Sequence, residues 1–516
     1  MGLLLSPAKV VLLAVNFASR TDIESLHHLA ARYDDVLGNE LLLRILLTYL
    51  PETTTPSVYV DFVQQIGGDG FEPEDHPGPN LDTTGVDDLS EDRAIRKTRK
   101  LRLLELSGSR ETSEEKDDLV TQFLFQRACR MDAEAGMLNH LAELLIPFAN
   151  RSPIRTWMVS TVVPLSRRNI EYYVEDAPYP LATFQQLSDC AAVEDLLSQT
   201  GISEEKYDGI SRDLRGILSP WIYDSARWVI NDDLPKQSAE GTGPPNVKCA
   251  GWEQALEWLV LQASNTWKVA VEAVDHWGGP RDVQFIDGVA LELGGCQLQY
   301  LDQTFTRAIL ASAYSISEPT LEALDGAYRI MCKARCLLDL PDLSSIEGAV
   351  ERLPEIPRFD LADPGGSRPA PTFLRNDLLH ESNLLTCPTE SAIQRLTAII
   401  LSAYVLTNMG LPCTIRRAGE LALLQDEREQ RGELVKLIRL ASNHAKRNSD
   451  DHWSRIRREI LWLQNWGVSF TGGRSDGRGS GILGTISRHD IEIELLKAML
   501  SQARRLSPYS MDAYRY

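Results

Sequence analysis

Apolar positions recur at helical spacing from the start of the chain. Pro7 to Ala18, Asp22 to Tyr33, Glu40 to Leu50 and Ser57 to Gln65 each read as a short helix closed by a tight turn. In the third, polar Glu40, Arg44 and Thr48 recur every fourth residue while leucine, isoleucine and tyrosine fill the positions between, so that helix is expected to be buried on most sides. The starts at Pro7 and Glu40, and at Asp22 and Ser57, lie one helical hairpin apart, as stacked helix pairs require.

The pattern resumes over Ala94 to Leu106, Leu119 to Cys129, Ala133 to Phe148, Ile154 to Leu165, Val193 to Ser198 and Tyr207 to Leu218, punctuated by Pro, Gly and Asn. From Trp252, apolar Ala255, Leu256, Leu259, Val260, Ala263, Trp267, Ala270, Val271 and Val274 predict one long amphipathic helix. Further helices are predicted at Leu298 to Ser315, Thr320 to Leu338, Thr372 to Leu385, Ala392 to Asn408, Arg416 to Lys446 and Trp453 to Trp466. Alternating strand patterns are hard to find, so the expected fold is all-α, an elongated α-solenoid of stacked helix pairs. The pattern divides the chain into helical repeats over 1–66, an acidic disordered loop over 67–92, a helical solenoid over 93–230 and a polar loop over 231–248. The solenoid continues over 249–467, followed by a glycine-rich loop over 468–485 and a final helix with a divergent tail over 486–516.

Charge narrows the partners. Asp plus Glu number 73 against 53 Lys plus Arg, and the net charge of −20 repels polyanions, so nucleic acid is not expected. One basic stretch, Arg93, Arg96, Lys97, Arg99, Lys100 and Arg102, follows Asp87, Asp88, Glu91 and Asp92; it reads as a helix with acids at its positive end and a solvated basic face, with a phospholipid or partner patch as the alternative. Eight scattered cysteines in a chain of 516 residues fit a reducing compartment. Cys332 and Cys336 lie one helical turn apart without companion ligands and read as core thiols. The apolar stretch Gly2 to Phe17 carries Ser6-Pro7 as a helix start and Lys9 as an interruption, which argues against a signal peptide. No run of about 18 apolar residues suggests a membrane span.

No catalytic constellation emerges. The loop Gly472 to Ser480 has Arg478 and Gly479 where a phosphate-binding loop needs Lys and a hydroxyl, and reads as a linker. Asp87-Asp88 sits in the acidic loop, and Asp232-Asp233 is followed by Leu234-Pro235, so neither suits the magnesium site of an all-helical enzyme. His380-Glu381 lacks the second histidine of a zinc helix, and adjacent His27 and His28 read as structural. Asn150-Arg151-Ser152 matches a glycosylation triplet, which has no meaning in a cytosolic protein. No catalytic, cofactor-binding or metal residue is therefore named, and partner-binding residues are left open.

The ordered segments themselves resemble a known family. Leu5 to Val15 and Leu42 to Glu52, then Leu89 to Ala94, Arg99 to Leu104, Phe123 to Ala128, Arg155 to Leu165, Ile170 to Tyr173, Arg212 to Trp221, Trp252-Glu253 with Glu257 to Val260, and Leu461 to Gly467 are similar to the fungal secretory-pathway Sec thirty-nine family, in the same order up to about Leu500. The resemblance implies a non-enzymatic α-solenoid subunit of the Dsl tethering complex. Its expected place is the cytosolic face of the endoplasmic reticulum (ER), in Golgi-to-ER retrograde transport. Expected partners are the other Dsl tethering complex subunits and ER SNARE proteins, with peripheral membrane association through proteins. Read without the resemblance, the pattern also suits a helical scaffold of another coat or pore assembly and, more distantly, an all-helical magnesium-dependent enzyme. Ile491, Leu495, Ala498 and Met499 begin a last amphipathic helix that Pro508 is expected to stop, so the tail reads as a shortened solenoid that self-associates through its last helix pairs.

Overall fold

The computed structural model describes residues 5–68, 81–106, 118–202, 208–227, 251–282, 295–355, 377–381, 383–444, 450–466 and 481–510. Among them every regular element is helical and no strand occurs, which bears out the all-α expectation. The chain divides into two compact units. The first comprises Met1–Gln199, Arg215–Gly251 and Val283–Leu291; the second comprises Thr200–Leu214, Trp252–Asp282 and Glu292–Tyr516.

In the first unit, α1 (Pro7–Ser19) buries Val10, Leu13, Ala14 and Phe17 and packs on α2 (Ile23–Arg32) and α3 (Asn39–Tyr49). Pro7 opens α1 because the missing N–H is one that a first turn leaves unbonded anyway. Asp22 caps α2 by accepting from the Ser25 N–H at 3.1 Å. The predicted fourth helix is a short 3₁₀ turn followed by α4 (Val60–Ile66). α5 (Glu91–Thr98) also packs on α1. α6 (Leu119–Ala135) is capped by Asp118 and stopped by Gly136, whose φ of 63° suits a residue without a Cβ. The later elements of this unit are short, among them α7 (Ser152–Trp157) and α8 (Asp189–Leu196).

Several boundaries in the first unit depart from the expectation. Part of the acidic loop is ordered: Thr84–Asp87 forms a single turn against α1, because Val86 is buried there. α5 ends at Thr98 rather than near Leu106; beyond it Leu104 is held by the Thr48 hydroxyl at 3.0 Å and the Arg44 guanidinium at 3.0 Å, bonds that favour an extended strap over another helical turn. The helix expected over Ala133 to Phe148 breaks at Gly136 into the short pieces Leu138–His140, Leu141–Leu145 and Ile146–Phe148. Helical winding over 152–172 instead runs past the predicted end at Leu165, with π-helical turns at Met158–Val162 and Arg167–Tyr172.

The second unit contains α9 (Asp208–Asp213), α10 (Gly251–Asn265), α11 (Trp267–His276), α12 (Gly295–Ser315), α13 (Leu321–Leu337) and α14 (Ile346–Arg352). α15 (Glu390–Asn408), α16 (Ile415–Leu424), α17 (Glu427–His444), α18 (Asp450–Asn465) and α19 (Arg488–Ser510) follow. α13 lies between α11, α12 and α15. It comes close to α11 because residue 326 is glycine: a Cβ there would stand 2.8 Å from the Trp267 ring. Gly419 does the same for α16 against Tyr314 of α12, where a Cβ would meet the phenol oxygen at 2.7 Å.

Here too the predicted long helices are cut. The run from Trp252 to Val274 breaks at Thr266, whose backbone leaves the helical region (φ −141°, ψ 74°) after polar Ser264-Asn265. The run from Arg416 to Lys446 breaks at Gln425, whose φ of 51° no helix interior tolerates. Residues 377–381 and 383–385 of the helix predicted from Thr372 to Leu385 form turns, and 372–376 lie outside the described residues. α14 has no counterpart in the pattern analysis; Ser345 caps it by accepting from the Gly348 N–H at 3.3 Å. α19 runs through Pro508 to Ser510, since a proline this close to the end deprives the helix of a single hydrogen bond.

Candidate functional site

The most elaborate polar chemistry in the first unit is buried and structural. α3 ends at Tyr49 with Leu50 as its cap; the Leu50 carbonyl has no helical N–H to accept from, and the Pro51 carbonyl accepts from the Thr54 N–H at 3.1 Å. Arg127 of α6, fully buried, donates to the Leu50 carbonyl at 2.8 Å and the Pro51 carbonyl at 2.6 Å, and lies over the Tyr59 ring at 5.3 Å. One turn along, Arg130 donates to the Leu47 carbonyl at 3.0 Å and pairs with Glu52. Burial pushes the Tyr59 phenol up from its ordinary value, although the adjacent Arg127 pulls it down. This is a cap made by guanidinium groups, placed at the negative end of a helix dipole.

Two prolines produce the same demand inside helices. Pro164 and Pro220 have no N–H for the carbonyls of Ser160 and Gly216, four residues back. Each is preceded by a π turn, Met158–Val162 and Leu214–Leu218. The Ser160 carbonyl accepts from Arg227 at 2.7 Å and the Gly216 carbonyl from Arg167 at 2.8 Å. Arg227 also stacks over the buried Trp221 ring at 4.2 Å. A side chain at Gly216 would strike the Tyr172 hydroxyl, so the glycine is fixed by the same packing.

The residues weighed for chemistry do not converge. Cys332 is half-buried, and burial pushes its thiol up to about 11, away from the thiolate that metals and electrophiles need. Cys336 is exposed rather than in the core, in the last turn of α13. His27 meets the Phe62 ring edge-on at 6.1 Å. His380 and Glu381 are exposed in a turn, and Asp87 and Asp88 are exposed beside the Thr84–Asp87 turn. Asp232-Asp233 and Gly472 to Ser480 lie outside the described residues. Among the described residues no group of three His, Cys, Asp or Glu side chains could hold a metal ion.

Surfaces are more informative than clusters. The six cations of the Arg93 to Arg102 stretch are all exposed, while Ala94 among them is buried. At the other end of the chain an open groove of about 400 Å³ between α18 and α19 is lined by Trp453, Arg457, Leu495, Leu496 and Met499. Arg457 donates to Glu492 at 2.6 Å on its rim, and this hydrogen bond holds the Glu492 carboxyl below its ordinary value. A second cavity of about 300 Å³ lies among α13, α14 and α15; there Tyr328 donates to the Ser344 carbonyl at 3.2 Å, and burial lifts its phenol to about 12. Neither space brings a nucleophile within reach of a base. The pattern analysis did not find the groove, since it depends on which faces of two separate helices meet.

No curated protein matches the chain. A family model described as secretory pathway protein Sec39 matches residues 11–510, which extends the segment-by-segment resemblance to nearly the whole chain and agrees with its all-helical fold. With so much of its length matched, the chain belongs to the Sec39 family of secretory pathway proteins.

Proposed function

We propose that this protein is a non-enzymatic scaffold subunit of the Dsl tethering complex, which receives Golgi-derived vesicles at the ER. The observation that carries this reading is the family match over residues 11–510. It is supported by a chain built entirely of packed helices among its described residues, and by functional candidates that are surfaces rather than reactive clusters. Its partners are ER SNARE proteins and the other tether subunits. No helix among the described residues is long and apolar enough to cross a membrane, so attachment to the cytosolic face of the ER runs through those proteins. Stacked helix pairs in an elongated array suit such a scaffold, because each pair needs only its neighbours for a core and leaves long faces for partners.

Affinity purification of the full chain from its own cells tests the assignment. Recovery of ER SNAREs together with tether subunits supports it; recovery of a coat or pore assembly instead overturns it. Small-angle scattering of the purified chain tests the elongated array, which a compact spherical radius would contradict.

A further inference from the structure

We propose that the basic strip from Arg93 to Arg102 docks an acidic segment of a partner protein. Arg93, Arg96, Lys97, Arg99, Lys100 and Arg102 are all exposed. None of them has an ion pair or hydrogen bond to a carboxylate among the described residues, whereas Arg44, Arg130, Arg151, Arg168, Arg329 and Arg457 all do. That contrast is set in a chain whose acids outnumber its bases by 73 to 53. Clustered like charges repel, so the strip sits at a local electrostatic maximum that an anionic group would relieve.

The backbone under these cations is already held. Ala94 is fully buried, and the Thr98 hydroxyl donates to the Ala8 carbonyl of α1 at 3.2 Å. Beyond the helix, Leu104 is tied to α3 through Thr48 and Arg44. The six side chains are therefore carried on a pre-ordered track about 15 Å long, the reach of about four or five extended residues. Binding there loses little backbone freedom on this side of the contact.

The layout of the acids selects the class of partner. Exposed Asp87, Asp88, Glu91 and Asp92 crowd the start of α5, and the cations follow. A flat anionic membrane laid on this surface would meet both signs, and Leu104, 42% exposed, is a single apolar side chain with which to enter lipid. A narrow acidic peptide can run along the cationic portion alone. The inference concerns this surface only and does not depend on the tether assignment.

The test uses the purified full chain, a fluorescent peptide of alternating Glu and Gly, and phosphatidylcholine vesicles containing phosphatidylserine. Fluorescence anisotropy should show peptide binding that weakens as salt rises. Combined Arg96→Glu, Lys97→Glu, Arg99→Glu and Lys100→Glu should lower the affinity by at least about tenfold, with the corresponding Gln variant in between. Lys436→Glu with Arg439→Glu, a charge change on exposed α17 positions, should leave binding unchanged. Circular dichroism checks that helicity survives, and the Gln variant decides if the Glu variant does not fold. Three results would overturn the proposal: no peptide binding, equal loss in the α17 control, or capture of the vesicles with no binding of the peptide.

Discussion

Arginines pair with carboxylates in both units, Arg44, Arg151 and Arg168 among them in the first, but the units differ in what else holds their helices together. In the first, Arg127, Arg130, Arg167 and Arg227 reach backbone carbonyls that helix ends and prolines leave without a partner. In the second, Arg281, Arg329, Arg417 and Arg457 meet carboxylates near the surface, and close approach of helices is obtained from Gly326 and Gly419 under aromatic rings. The difference follows from helix length. Many short, interrupted helices expose many terminal carbonyls per residue, and burying them demands donors. Fewer, longer helices satisfy their own backbone, so their stability is decided by how tightly the side chains interlock.

The largest expected effect tests the first half of that contrast. Arg127→Met keeps most of the volume and the apolar stem but removes every donor, leaving the Leu50 carbonyl without its partner and the Pro51 carbonyl with the Thr54 N–H alone. A loss of about 2–4 kcal/mol in urea denaturation is expected, from one unsatisfied acceptor, one weakened acceptor and the missing dipole contact. A loss near that of an ordinary surface change would mean that the carbonyls find water and that the guanidinium cap is incidental.

Next comes the packing of the second unit. Gly326→Ala places a methyl within 2.8 Å of the Trp267 ring and 3.0 Å of Val271, both on α11, so α11 and α13 must separate. A destabilisation of about 1–3 kcal/mol is expected, with a change in tryptophan fluorescence as Trp267 shifts. An alanine tolerated with unchanged fluorescence would show that this interface is looser than the contact implies.

A double-mutant cycle sharpens the account of the prolines. Arg227→Met should cost about 1–2 kcal/mol by freeing the Ser160 carbonyl. Pro164→Ala restores an N–H four residues on from Ser160, so the same arginine change in that background should cost measurably less. Strict additivity of the two changes would refute a shared role.

The smallest effect is a pH dependence in the second unit. Burial lifts the Glu459 carboxyl above its ordinary value, against the pull of Arg455 and Arg458, and its Oε2 has no hydrogen-bond partner. The folded chain therefore holds this proton more firmly than the unfolded one. The stability linked to this proton is complete below the ordinary carboxylate range and is lost as pH rises through the higher folded value. Glu459→Gln should flatten that slope and raise stability at neutral pH by about 1 kcal/mol or less. An unchanged slope between acidic and neutral pH would show that the carboxyl is hydrated.

What was legible in the chain is what local chemistry decides. Pro7 after Ser6 and the recurrence of polar Glu40, Arg44 and Thr48 at every fourth position marked the first helices to within a residue or two, because helix starts and burial periodicity act over one turn. The ordered segments likewise pointed to the family that the match over residues 11–510 shows. Breaks inside apolar runs were not legible. Thr266 and Gln425 are residues that helices accept, so nothing in their side chains announces the non-helical and left-handed conformations they adopt. The roles of Arg127, Arg167 and Arg227 were equally hidden, since in the sequence they are unremarkable charges and their carbonyl partners lie between 49 and 77 residues away. The sequence by itself determined that the chain is helical and where its first helices begin. The tertiary structure decided which carbonyls are stranded, which arginines reach them, and which cations are left facing solvent, because each depends on distant segments being brought within hydrogen-bond range.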